Sequence, residues 1–193
     1  KSVRLFILGE NAWRDEEEFP LKRARQTRYF LRSGSGANSG RGDGKLSLEA
    51  PRTEGQDSFL YDPLNPVPTL GGRLCCGAGI APGPFDQRPN ESRTDVLVYS
   101  TPPLEKDTEV TGYVTLELFA ASSASDTDFT AIVADVDPAG YARYLTDGIV
   151  RARYRNSTEK PEPIVSGEIY KYTLDLWATG NLFKAGHQIR LYV

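Results

Sequence analysis

The chain has 193 residues, of which 39% are hydrophobic and 25% are charged, a length and composition that predict one domain with a full core. Lys and Arg total 23 against 26 Asp and Glu, and the resulting net charge of −3 argues against binding to nucleic acid or to an anionic membrane through bulk electrostatics. No apolar stretch reaches the roughly 18 residues that a membrane-spanning helix needs.

Hydrophobic and polar residues alternate along much of the chain, which predicts β-strands. In chain order, the predicted strands are residues 3–8, 29–31, 45–48, 95–99, 109–121, 128–137, 141–145, 150–154, 168–177 and 187–193. Short strands separated by turns rich in Gly and Pro are typical of an antiparallel sandwich. We therefore expect an all-β fold.

Three segments between these strands break the alternation. Residues 16–28 are charged and of helical length, but Pro20 interrupts them, so we expect a short helical turn at most. Residues 33–44 are rich in glycine and are predicted to form a loop. Residues 63–90 are rich in proline yet carry several large apolar side chains, which indicates a packed functional segment rather than a disordered one.

The side chains most often used in catalysis or metal binding are scarce. Cys75 and Cys76 are adjacent, which excludes a disulfide framework and a four-cysteine zinc site, and we expect two reduced thiols. The single histidine, His187, falls in register with the apolar face of the last strand and is predicted to be a buried, hydrogen-bonded structural residue. No Gly-x-Ser-x-Gly elbow and no phosphate-binding loop occur, and no cofactor is implied.

Three charged groups have a structural and a functional interpretation. Four aspartates lie close together in the sequence, and their oxygen atoms are of the kind that binds calcium. However, Ala131 stands where an EF-hand loop needs glycine, so loop solvation and turn capping are favoured. The arginines form either an anion-binding or interface stripe or a salt-bridged sheet face, and the salt-bridged face is favoured. Arg41-Gly42-Asp43 is an integrin-type tripeptide, but turn chemistry is favoured there. The aspartates are Asp126, Asp128, Asp135 and Asp137, and the arginines are Arg151, Arg153 and Arg155.

Seven ordered motifs resemble one known family. They are Gly9-Glu10-Asn11-Ala12-Trp13-Arg14; Tyr61-Asp62-Pro63 with Asn65-Pro66-Val67-Pro68-Thr69 and Gly71-Gly72; Asp86-Gln87-Arg88 with Arg93 and 95–99; Glu109-Val110-Thr111-Gly112; 121–123 with 126–131; Asp147-Gly148-Ile149 with 151–155; and 185–190. Their order and spacing resemble the C-terminal domain of X-Pro dipeptidyl-peptidase-like hydrolases. This CocE/NonD group includes cocaine esterase, the α-amino acid ester hydrolases and relatives of glutaryl-7-aminocephalosporanic acid acylase.

The resemblance implies a jelly-roll β-sandwich of the galactose-binding-domain-like type, formed by residues 1–193 as a single C-terminal domain. It also implies an α/β-hydrolase domain upstream of Lys1 that carries a Ser-Asp-His triad. The whole enzyme would then cleave an ester, an amide or an X-Pro peptide bond through an acyl-enzyme, and this segment alone should be inactive. Family members continue past the motif at His187, so we expect the chain to be shortened at its C-terminal end.

The resemblance further implies that this domain helps to wall the substrate pocket. In cocaine esterase-like relatives, the turn after the Gly-Gly pair points hydrophobic side chains at the acyl pocket, and the matching residues are Leu74, Cys75 and Cys76. Smaller side chains here predict a roomier pocket, while the alternative is that both cysteines only pack in a domain interface. The expected partners are the catalytic domain of the same polypeptide and further copies of the chain in an oligomer.

Two other interpretations remain open. The chain could be a stand-alone carbohydrate-binding module, in which Trp13 and Trp177 would be the candidates for an exposed sugar platform. It could also be a structural or oligomerisation module. The sequence does not distinguish a cytoplasmic from an exported protein.

Overall fold

The protein is almost entirely β-structure. A computed structural model describes residues 2–53, 55–73, 79 and 81–193. The strands are β1 (Val3–Ile7), β2 (Ala12–Glu16), β3 (Phe30–Arg32), β4 (Lys45–Ser47), β5 (Val98–Ser100), β6 (Thr108–Ala120), β7 (Asp128–Val136), β8 (Ala142–Arg151), β9 (Tyr170–Phe183) and β10 (Gln188–Tyr192). Within these residues the helices are two short 3-10 turns, Arg88–Ser92 and Ala152–Tyr154.

The strands form a sandwich of a large sheet and a long ribbon. The large sheet has the order β3-β4-β5-β10-β7-β8, and only the β4–β5 pair is parallel. The ribbon is the antiparallel pair of β6 and β9, and the β1–β2 hairpin joins it through a bridge between Leu8 and Asn181. This arrangement confirms the predicted all-β jelly-roll sandwich.

The main core lies between the ribbon and the large sheet. The ribbon contributes Leu116, Tyr172 and Leu174, and the sheet contributes Phe129 and Leu191 among others. The rings of Phe129 and Tyr172 are 4.7 Å apart, so aromatic packing joins the two layers directly. Burial of this apolar surface is the main force that holds the two layers together.

A second, smaller cluster covers the opposite face of the large sheet. Its buried members are Val96, Val98, Ala134, Val136, Ala142 and Tyr192. The 3-10 turn Arg88–Ser92 is tied to this face, because Glu91 accepts hydrogen bonds from the Tyr192 hydroxyl at 2.7 Å and from the Arg190 guanidinium at 2.6 Å. These hydrogen bonds therefore fix the turn to the sheet, and with it the end of the chain segment that precedes the turn.

Most strand predictions are confirmed, with four corrections, the first being that β5 runs over Val98–Ser100 rather than over residues 95–99. Residues 141–145 and 150–154 are not two strands, because β8 runs unbroken from Ala142 to Arg151 and a 3-10 turn follows. The strand predicted to end at Trp177 continues to Phe183. Strand β2 was not predicted, since its sequence Ala-Trp-Arg-Asp-Glu is mostly charged and only half-buried.

Candidate functional site

The segment that precedes the predicted pocket wall is held by side chains rather than by strand pairing. We call residues 58–70 the strap, which has no ladder partner. Its carbonyl groups accept hydrogen bonds from four polar side chains of the domain. The bonds run from Asn38 to Ser58 (2.9 Å), from Arg93 to Asn65 (2.6 Å), from Asn90 to Pro68 (3.0 Å) and from Gln87 to Leu70 (2.8 Å).

Asp57 anchors the start of the strap to the core. Its carboxylate accepts hydrogen bonds from the Ser33 hydroxyl at 2.6 Å, the Ala37 amide at 2.9 Å and the Tyr99 hydroxyl at 2.7 Å. Burial opposes ionisation of Asp57, but the three donors outweigh it and hold the pKa of this carboxyl below its usual value. Burial and the neighbouring Asp57 charge raise the pKa of Tyr99, so its phenol stays protonated and keeps donating.

A pair of glycines closes the loop that contains the predicted wall residues. Gly72 and Gly83 exchange two backbone hydrogen bonds of 2.8 and 3.0 Å, and their φ angles are +90° and +137°. Glycine is required here because other residues are strained at these angles. Leu74, Cys75 and Cys76 themselves lie outside the described residues, so their place in the pocket wall stays a prediction.

Arg73, the last described residue before the wall, is clamped on two sides. Its guanidinium donates to the Asp147 carboxylate at 2.9 Å and to the Asp147 carbonyl, and it lies over the ring of Trp177 at 4.6 Å. The Tyr144 hydroxyl donates to the same carboxylate at 2.6 Å. Sequence reasoning missed this cluster, although the place of Arg73 directly after the Gly-Gly pair was a signal.

Trp177 reaches Arg73 because strand β9 bulges at this point. Tyr113 pairs with Ala178 and Thr115 pairs with Asp175, so two β9 residues lie opposite one β6 residue. Trp177 has a φ of +67°, a left-handed conformation that costs a non-glycine residue roughly 1–2 kcal/mol. A bulge redirects side chains, and here it leaves the indole 63% exposed beside Arg73.

The second candidate tryptophan for a sugar platform is also exposed. Trp13 meets the ring of Phe6 edge-on with centroids 5.3 Å apart, and the Arg4 guanidinium lies 5.8 Å from its ring. Both candidate tryptophans therefore have an arginine over the ring. One face of Trp177 is occupied by Arg73 and is not free to stack on a sugar.

His187 has the predicted structural role but is only half-buried. Its Nδ1 atom lies 2.7 Å from an oxygen of buried Asp135. The other oxygen of this carboxylate accepts a 3.1 Å hydrogen bond from Asn181, which is also buried. The three residues tie β7 to β9 and to the turn before β10.

The clustered aspartates are all engaged in ion pairs, hydrogen bonds or turns. Arg151 pairs with Asp128, Arg153 pairs with Asp126, and Asp137 caps the turn before β8. Within the described ranges, no group of three or more His, Cys, Asp or Glu side chains could hold a metal ion.

The arginine stripe is a salt-bridged surface, as favoured by the sequence, but only its first member is on a strand. Arg153 is in the 3-10 turn, and Arg155 follows it and pairs with Glu162. In the integrin-type tripeptide, the Asp43 carboxylate accepts hydrogen bonds from the backbone amides of Gly34 and Gly36. Asp43 therefore holds its own loop together, which agrees with turn chemistry.

The whole chain, residues 1–193, matches the family model of the X-Pro dipeptidyl-peptidase C-terminal non-catalytic domain. The chain belongs to this family. Cocaine esterase from Rhodococcus sp. strain MB1 Bresler is 49% identical over 191 residues, which cover 99% of this chain and 33% of that enzyme. The family resemblance drawn from the sequence motifs is thereby confirmed.

Solved structures of this family's relatives share the sandwich. An aminopeptidase from a marine sediment Thaumarchaeota archaeon has a TM-score of 0.81 and 30% identity, and covers 98% of this chain and 32% of its own. An α-amino acid ester hydrolase also has a TM-score of 0.81, with 27% identity, and covers 98% of this chain and 33% of its own.

The family domain spans only about a third of the length of the relatives it matches. The rest of each relative therefore lies outside the part that corresponds to this chain. Among the described residues, no helix is long and apolar enough to cross a membrane.

Proposed function

We propose that this chain is the accessory domain of a CocE-type serine hydrolase. It packs on an upstream α/β-hydrolase domain of the same polypeptide, and Leu74, Cys75 and Cys76 form part of the substrate-pocket wall. The upstream domain supplies the nucleophile and its base, and this domain shapes part of the substrate pocket. The identity with cocaine esterase favours an ester substrate over an X-Pro peptide.

The observation that carries this proposal is the anchorage on either side of the wall residues. A pocket wall discriminates between substrates only if its position is fixed to a fraction of an ångström. The Gly72–Gly83 bridge fixes the two ends of the loop, and the ion pair of Arg73 with Asp147 fixes the residue next to Leu74. Asp147 lies on strand β8, so the second contact ties this residue to the sandwich.

The size of the wall side chains determines which acyl groups fit. Cysteine is small and apolar in character, so Cys75 and Cys76 leave room for a bulky acyl group. A filled pocket rejects a larger substrate by roughly 1–3 kcal/mol per displaced methylene-sized group, which is about tenfold or more in kcat/KM. The proposed substrates are therefore esters of large acyl groups.

The test is Cys76→Trp in the full-length enzyme, compared with Leu48→Trp, which changes an exposed residue outside the loop. We expect Cys76→Trp to lower kcat/KM for bulky acyl esters by about tenfold relative to small ones. The control should leave the ratio unchanged. Equal kinetics of Cys76→Trp and the unmodified enzyme on both ester classes would exclude the pocket role.

A further inference from the structure

The strap presents large apolar side chains to solvent. Leu60 is 86% exposed and Leu64 is 93% exposed, and Phe59, Tyr61 and Val67 are exposed beside them. Single exposed apolar residues are common on protein surfaces, but five within nine residues concentrate apolar surface in one short segment. Such patches mark interaction surfaces.

The strap differs from an ordinary surface segment in which of its groups contact the domain and which are exposed. Four of its backbone carbonyl groups are bound by side chains of the domain, and its large apolar side chains are exposed to solvent. Three prolines in the strap lack an N–H group, which reduces the number of donors that need a partner.

A turn at the middle of the strap fixes its most exposed side chain. The Leu64 amide donates to the Asp62 side chain at 2.9 Å, and the Asn65 amide donates to the Asp62 carbonyl at 3.0 Å. Leu64 thus projects from the tip of an ordered turn. With Asp57 holding the start of the strap and the Gly72–Gly83 bridge following its end, the apolar surface is preorganised, and this lowers the entropic cost of binding.

The composition of the strap and its position in the chain favour one kind of partner for this surface. Asp62 is the only charged residue of the strap, and depletion of charge is typical of the buried centre of an interface. Two residues, Gly71 and Gly72, separate the end of the strap from Arg73, which directly precedes the predicted wall. A partner seated on it therefore adjoins the pocket, and relatives carry about two thirds of their length outside this domain.

We infer that the strap, residues 58–70, is the surface that seats on the upstream catalytic domain of the same polypeptide, with Leu60 and Leu64 as its anchors. This inference rests on the proposed function, since it requires that upstream domain. It adds the docking surface, which the wall residues alone do not define.

The test is photochemical carbene labelling of aliphatic side chains in the active full-length enzyme. Leu48, which is 63% exposed and outside the strap, is the internal reference. We expect Leu60 and Leu64 to be labelled several-fold less than Leu48, at every protein concentration. Labelling equal to that of Leu48 would overturn the inference. Protection that disappears on dilution would also overturn it, because the occupant would then be a second copy of the chain.

A variant pair provides a second readout. Leu60→Ser combined with Leu64→Ser should lower the thermal midpoint of the full-length enzyme, and Leu48→Ser should not, because a seated strap loses apolar burial and a free one loses none. The labelling and the kinetics test the docking surface and the pocket wall independently. If Leu60 and Leu64 are not protected but Cys76→Trp lowers kcat/KM for bulky esters as expected, only the docking surface is refuted. If both leucines are protected but Cys76→Trp has no effect on the kinetics, only the pocket wall is refuted.

Discussion

The guanidinium of Arg73 lies over the indole of Trp177 at 4.6 Å and pairs with Asp147 at the same time. The three residues come from three parts of the chain: the loop after the Gly-Gly pair, strand β9 and strand β8. Neither the stack nor the ion pair is deeply buried, so the cluster contributes little to global stability. Its position beside the predicted pocket wall indicates a positioning role instead.

We predict that Arg73→Ala weakens substrate binding but leaves the stability of the domain almost unchanged. Because the Arg73 and Asp147 side chains are about 40% exposed, the free energy of unfolding should change by less than about 1 kcal/mol. In the full-length enzyme, KM for bulky acyl esters should rise. Urea unfolding and steady-state kinetics measure the two effects.

Arg73→Lys is the matched variant for this prediction. It keeps the charge but loses the planar stack and the forked hydrogen bonds, so it should restore KM only in part. An unchanged KM in Arg73→Ala would show that the clamp does not position the wall.

The backbone conformation of Trp177 predicts an unusual substitution pattern. Trp177→Gly removes the cation–π contact but relieves the cost of a positive φ, so the thermal midpoint should stay close to that of the unmodified protein. Trp177→Val puts a β-branched residue at the same φ and should be less stable than the glycine variant by roughly 1–2 kcal/mol. Thermal unfolding followed by circular dichroism distinguishes the two. A glycine variant less stable than the valine variant would contradict the bulge interpretation.

The same bulge explains why the strand predicted over residues 168–177 stops short of the observed end of β9 at Phe183. Up to the bulge, the buried β9 residues are Tyr172, Leu174 and Leu176, all at even positions, and after it they are Asn181 and Phe183. A period-two pattern cannot continue through an extra residue, so the predicted strand ended at Trp177. The long strands without such a phase change were predicted within a few residues of their observed ends.

The candidate site was predictable only where local sequence determines it. The glycine pair and the proline-rich segment stand out as a motif in the sequence. The donors that hold the strap could not be found in this way. Asn38 is twenty residues from the Ser58 carbonyl that it binds, and such a contact depends on the tertiary fold.

Asp57 makes the stability of the domain sensitive to acid. Its folded pKa is below the unfolded value, so its stabilising contribution is present above the unfolded value of about 3.8 and is lost as pH falls through the folded pKa. We predict that Asp57→Asn lowers the free energy of unfolding by roughly 1.5–3 kcal/mol at neutral pH and makes the acid loss shallower. Urea titrations at neutral pH and near pH 3 measure both.

The control for Asp57 is Glu49→Gln, which changes a carboxylate whose side chain is 89% exposed. It should leave both the neutral stability and the acid slope unchanged. If Asp57→Asn matched this control at both pH values, the three hydrogen bonds would not anchor the strap.

Asp135 couples His187 to Asn181, and this coupling is measurable. Because both residues bind the same buried carboxylate, we predict that the destabilising effects of His187→Ala and Asn181→Ala are not additive, with an interaction of about 1 kcal/mol in a double-mutant cycle. Each single variant leaves one oxygen of Asp135 without its partner, which costs more than the lost contact alone. The exposed pair Lys171 and Glu117 is the reference cycle, and its coupling should be smaller since solvent screens it. Equal coupling in the two cycles would show that the buried carboxylate does not join β7 to β9 and to the turn before β10.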